Sequence, residues 1–208
     1  MELSVAQVAR EHGRSERFVQ MALKSGHLAG HRVVGRVVTI DDIAARAWDR
    51  SLGQGRRWVP DVRDAALDVL SSGQTRRLSS SERSRLKSRL RSISVPQLAH
   101  AMGGIGHWAR YRGTPETRLP RIGPSALAAE ELGLVSGQGW LTFVQVPNLD
   151  DFELEHDVIL DGDGNLGVVC RDTLDERAAR VLLDCYLLGD ARQSEAAAAQ
   201  LRRRCRDV

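Results

Sequence analysis

The chain is written in short amphipathic runs separated by glycine and polar breaks. In "SVAQVAREHGRSERFVQMALKSGHL" (4–28), Ser4 is placed to cap a helix, because its hydroxyl can accept an otherwise orphaned backbone N–H. Val5, Val8 and Ala9 then share one face as far as about Glu11. His12-Gly13 breaks that helix, with glycine supplying the left-handed exit. Ser15 caps a second helix whose Val19, Ala22 and Leu23 share a face, and Gly26 closes it. The pattern next switches to period two: "HLAGHRVVGRVVTIDD" predicts strands over 28–34 and 36–40 pivoting on Gly35. Asp41 or Asp42 then caps a third helix to about Arg50, burying Ile43 and Ala47.

Further along, "RSLGQGRRW" (50–58) reads as a basic, glycine-rich linker. "VPDVRDAALDVLSSG" predicts a helix that starts at Pro60, buries Val62, Ala66, Val69 and Leu70, and stops at Gly73. Residues 76–92 predict another, with Leu86, Leu90 and Ile93 as its stripe and seven Lys/Arg around it. "GGIGHWARYRGTPETRLPRIG" looks loop-rich. "GPSALAAEELGLVSG" predicts a short helix capped by Ser125, and "GWLTFVQV" (139–146) and Leu166–Cys170 predict strands. Thr173 and Glu176 form the sequence of a capping box for a helix burying Ala178, Val181, Leu182, Cys185 and Tyr186. After Gly189 an alanine-rich helix ends in cations. The expected fold is mainly α with small β elements (α+β). Residues 1–50 form a winged helix-turn-helix, 51–95 a basic linker with helices, and 96–208 an acidic, mostly helical domain with a few short strands.

Charge sharpens this division. Residues 1–92 hold 18 Lys/Arg against 10 Asp/Glu, a net of +8, whereas 93–208 hold 12 against 17, a net of −5. A cationic front half attached to an anionic back half suits a polyanion binder joined to something else. Aromatic residues are only 4%, too few for a platform that stacks single-stranded bases. The three cysteines are far apart and show no metal-ligand spacing, which points to a reduced, cytoplasmic setting. No signal sequence and no long apolar run is evident, so neither secretion nor a membrane span is expected.

On the second helix, Arg17, Gln20 and Lys24 fall on the side away from the apolar face, with Arg14 and Ser15 just ahead. Arg17 and Gln20 are candidates to read bases, since Arg pairs bidentately with guanine and Gln with adenine. Arg14, Lys24, Arg32 and Arg36 are candidates for phosphate. Arg83, Arg85, Lys87 and Arg89 form a second cationic surface, for phosphate or for an acidic partner. These motifs resemble the winged helix-turn-helix of excisionase and MerR-type DNA-binding proteins over about 50 residues.

Chemistry beyond binding finds little support in the sequence. "GQG" lacks the Lys-Ser/Thr of a phosphate loop. Gly103-Gly104 breaks the helical register between His100 and His107, so a metal pair is not expected there. "DGDGNLGVVC" begins like a calcium loop, but its sixth position is Leu166 and its twelfth Asp172. No nucleophile, zinc or carboxylate motif stands out, and neither an enzyme nor a cofactor is expected.

The whole arrangement, with "RRW-P", "LSSSERSRLKSRLRS", "DGDGNLGVV" and "GDARQSEAAAAQLRRR", resembles the helix-turn-helix antitoxins encoded beside nucleotidyltransferase toxins of the abortive-infection type. That resemblance implies an autorepressor that binds inverted repeats in its own promoter as an oligomer and counters a cognate toxin. Three alternatives stand beside it: a plain transcriptional regulator, a protein-docking module, and an excisionase-like architectural factor.

Overall fold

The computed structural model describes residues 1–208 apart from 36, 54, 115–118 and 135–140. Among the described residues the protein is mainly α-helical, with one three-stranded and one four-stranded sheet. The front of the chain runs β1 (Glu2–Ser4), α1 (Val5–Glu11), α2 (Glu16–Lys24), β2 (His31–Val34), β3 (Val37–Asp41) and α3 (Asp42–Arg50). The caps are those the sequence predicts. Ser4 Oγ accepts from Gln7 N while Gln7 Oε1 accepts from Ser4 N, and Ser15 Oγ accepts from Phe18 N at 3.2 Å. Asp41 Oδ1 accepts from the amides of Ile43 and Ala44 and so opens α3. Strands β2 and β3 pair antiparallel as far as Val34↔Val37, and Gly35 between them has φ +64°. The sequence reading missed β1, a three-residue strand that pairs Leu3 with Ile40 on the other side of β3.

Helix α3 has two buried faces. Ala45 and Trp48 pack with Leu3, Val8, Val19, Leu28 and Ile40 in a small core belonging to the first 50 residues. Ile43, Ala44 and Ala47 lie instead in the large core shared with the rest of the chain.

The remainder runs α4 (Pro60–Ser72), α5 (Ser80–Ser92), α6 (Val95–Ala101), β4 (His107–Gly113), a 3-10 turn at Gly123–Ser125, α7 (Leu127–Glu131), β5 (Thr142–Val146), α8 (Leu149–Glu155), β6 (Val158–Leu160), β7 (Leu166–Cys170), α9 (Ala178–Leu188) and α10 (Ala191–Asp207). Every residue of α9 from Ala179 to Leu188 is buried, the mark of a helix surrounded on all sides. Helices α3, α4, α7 and α10 pack around it. The four-stranded sheet has the order β5-β7-β4-β6, with β5 and β7 parallel and the other pairs antiparallel.

Three local expectations are corrected. The stretch read as loop-rich contains β4, a strand inside the four-stranded sheet. Arg110 disguises it: this cation sits buried within the strand, bonded to Asp41, Asp42 and the carbonyl of Gly164. Ser125 does not cap α7, which starts at Leu127 with Ala126 as an N-cap that offers no side-chain bond; the Ser125 hydroxyl accepts from Phe143 N instead. Thr173 and Glu176 do not form a capping box, because α9 begins at Ala178 and Asp175 holds the preceding turn by accepting from Arg177 N. Helix α8 and strand β6 were not anticipated. Gly139 and Trp140, the first residues of one expected strand, lie outside the described residues, and the strand itself is Thr142–Val146.

Candidate nucleic-acid interface

Helix α2 is anchored on one side only. Val19 and Ala22 are buried, while Arg17, Gln20, Met21 and Lys24 are exposed on the opposite side. A helix turns by about 100° per residue, which brings positions 17, 21 and 24 onto a single strip with Gln20 at its margin. Arg17, Gln20 and Lys24 enter no hydrogen bond or ion pair among the described residues, so their donors remain available to an incoming partner. The C-terminal cation Lys24 also suits the negative end of its own helix.

The start of α2 is braced by a stack. Arg14 lies over the Phe18 ring at 5.8 Å, and Phe18 packs against Trp48 with centroids 5.7 Å apart. Arg14 also reaches Asp49 at 3.7 Å, as does His12 at 3.4 Å. Arg14 is therefore partly neutralised in the free protein. Ser15 has a structural role as the cap, with its oxygen occupied by Phe18 N.

In the hairpin, one of the two expected phosphate contacts is paired internally. Arg32 donates to Glu2 Oε1 at 3.0 Å, a pairing made possible by the unforeseen β1. Arg36 lies outside the described residues. Among its described residues the hairpin exposes His31 together with two valines, Val33 at 67% and Val37 at 56% accessible.

Two contributors escaped the sequence reading. Met21, 59% exposed, stands in the middle of the α2 strip; a helical wheel drawn from the cap at Ser15 would have placed it there. The second is the segment read as a linker. It runs beside α2 and forms a groove of about 650 Å³ lined by Phe18, Met21, His27, Arg56, Arg57 and His100. His100 holds the segment by a 3.0 Å bond to Gly55 O, and Arg56 and Arg57 are exposed along the groove. Partial burial and the nearby Arg63 lower the pKa of Arg57 from its ordinary value, and burial, Arg57 and His100 lower that of His27. In both groups burial contributes most to the shift, and the neighbouring cationic side chains add to it.

The second cationic surface mostly serves the fold. Arg83 donates to Thr75 O at 3.0 Å and Lys87 to Gly73 O at 2.9 Å, tying α5 to the turn after α4. Arg89 stacks on Trp58 at 5.0 Å. Arg85 is exposed. Helix α5 itself has a capping box between Ser79 and Glu82.

Some charges elsewhere are internal. Asp184, fully buried, is gripped by Arg171 through two 2.7 Å bonds and by Arg180. Burial alone would raise its carboxyl pKa, but the two guanidinium groups hold it well below the ordinary carboxylate range. Arg177 similarly joins Asp64, Asp68 and Asp175. No group of three or more His, Cys, Asp or Glu among the described residues has metal-binding geometry. No described helix is long and apolar enough to cross a membrane. No family model matches the chain, and searches of curated proteins and of solved structures likewise return no match.

Proposed function

We propose that the protein is a cytoplasmic DNA-binding autorepressor that occupies its own promoter through α2 and acts as the antitoxin of a nucleotidyltransferase toxin. The observation that supports DNA binding best is the exposed strip of α2, where Arg17, Gln20 and Lys24 face outward with no partner among the described residues. Capped at Ser15 and flanked by a β-hairpin, such a helix has the size and charge to enter a major groove. Arg17 and Gln20 would meet base edges, while Lys24, Arg56 and Arg57 would meet phosphates. One short helix makes few base contacts, so useful specificity calls for two or more protomers on adjacent half-sites. The antitoxin role rests on the resemblance described above, and sequencing the adjacent open reading frame tests it: a nucleotidyltransferase pattern there would support it, and its absence would leave a plain transcriptional regulator.

Titration of the upstream duplex at several salt concentrations, followed by fluorescence anisotropy, tests the reading. Phosphate neutralisation makes log K fall linearly with log salt, with a slope of about −0.9 per phosphate contacted. Replacing Arg17 or Gln20 with alanine is expected to cost about 1–3 kcal/mol and to relax specificity. Unchanged affinity in both variants removes α2 from readout. The exposed Phe18 and Met21 favour a second reading, in which this face docks a protein; binding insensitive to salt would support that one.

A further inference from the structure

Met21 is the apolar side chain of α2 that the fold does not use. Val19 and Ala22 are buried, and Leu23 packs against the same small core. Phe18 is 43% exposed, but it is held between the Trp48 ring at 5.7 Å and the Arg14 guanidinium at 5.8 Å. Met21 is 59% exposed and shares the outward strip with Arg17 and Lys24. A thioether left in solvent there adds little to the stability of the fold, and it brings no charge to a phosphate.

The chemistry of a duplex limits what such a side chain can meet. Phosphates and sugars take charge or hydrogen bonds. In the major groove the base edges present donors and acceptors, with one apolar group among them, the C5-methyl of thymine. Methionine suits that group, because its unbranched chain and polarizable sulfur adapt to an apolar surface of variable position. The spacing agrees with its neighbours. At about 1.5 Å of rise per residue, Met21 lies about 6 Å along the helix axis from Arg17. With the helix lying along the groove, that is under two steps of a duplex rising about 3.4 Å per base pair. A protein docked on this strip would have to desolvate Arg17 and Lys24, whereas a duplex supplies their counter-charges.

We propose that Met21 is a specificity-determining residue of the α2 surface, reading thymine through its C5-methyl group beside the bases met by Arg17 and Gln20. This inference rests on the DNA-binding reading given above and deepens it: each half-site carries a thymine whose methyl group faces α2. The contact involves no charge, so it leaves the salt dependence of binding unchanged.

The test uses the full-length protein and the upstream duplex in two forms, one natural and one with uracil in place of every thymine. Uracil keeps the pairing and the O4 acceptor and lacks only the methyl group. By fluorescence anisotropy, the wild type should bind the thymine duplex about fourfold more tightly for each protomer bound, which corresponds to the roughly 0.8 kcal/mol of one buried CH₂-sized group. The two salt slopes should be equal. Met21→Ala, at an exposed position, should bind both duplexes alike, which separates the contact from any general effect of uracil on the DNA. Met21→Leu, apolar and of similar size, should keep most of the preference. Two results would overturn the proposal and leave α2 as the DNA-binding helix: equal, salt-dependent affinity of the wild type for both duplexes, or a thymine preference that survives in Met21→Ala. The absence of salt-dependent binding to either duplex would overturn the DNA-binding reading and this proposal with it.

Discussion

Asp184 illustrates how a single side chain can hold a large part of this protein together. It is fully buried between Arg171 and Arg180, and removing it leaves two guanidinium groups without their counter-ion. Asp184→Ala is therefore expected to destabilise the fold by about 3–5 kcal/mol, measured by urea unfolding at neutral pH. The pH dependence follows from the direction of its shift. Its folded pKa lies below the unfolded value, so its contribution is present above the unfolded pKa of about 3.9 and is lost as pH falls through the folded one. The stability gap between wild type and Asp184→Asn should accordingly narrow in acid. Glycines behave differently according to what surrounds them. Gly35 has φ +64° but open space around it, so alanine there should cost only the left-handed backbone penalty of about 1–2 kcal/mol. Gly30 has φ +70°, and a Cβ there would meet Trp108 Cδ1 at 2.4 Å and Ala44 Cβ at 2.7 Å. Gly30→Ala should add an overpacking cost of about 1–3 kcal/mol, visible as a larger drop in Tm.

At the scale of elements, the helices were the legible part of the sequence. Ser4, Ser15, Asp41 and Gly73 announce helix ends through local chemistry, and the structure uses each of them in the predicted role. Short strands left weaker traces. β1 and β6 are three residues each, too short for an alternating pattern to register, and β4 hides behind the buried cation Arg110. The candidate site divides in the same way. Arg17, Gln20 and Lys24 were readable from helical spacing, whereas the Arg32–Glu2 pair and the placement of Arg56 and Arg57 depend on neighbours distant in sequence. The C-terminal end of α9 depends on such a neighbour too. Arg50 Nη1 donates to the carbonyls of Tyr186, Leu187 and Gly189, and the Tyr186 hydroxyl donates back to Arg50 O. These carbonyls have no partner within the helix, and a cation is favoured at that end. Arg50→Ala should cost about 2 kcal/mol or more by chemical denaturation, and Arg50→Lys, with its smaller set of donors, should restore only part of it.

For the whole molecule, the two cores meet in α3. A module of about 50 residues buries a small fraction of its surface and is marginal alone, and here one of its helices gives Ile43, Ala44 and Ala47 to the larger core. The full chain should therefore unfold in one transition, with far- and near-UV circular dichroism coinciding. A fragment of residues 1–50 should lack fixed tertiary structure. Persistence of a cooperative transition in that fragment would show that α3 holds its place without α9.

A helix with both sides committed also constrains how the molecule could be rebuilt. Transplanting the first 50 residues onto a foreign body would strip one flank of α3 of its cover and leave Arg50 without the carbonyls it seals. Any workable chimera has to bring α9 along, so the natural seam for exchange lies behind that central rod and not at the glycine-rich strap that looks, on paper, like the place to cut.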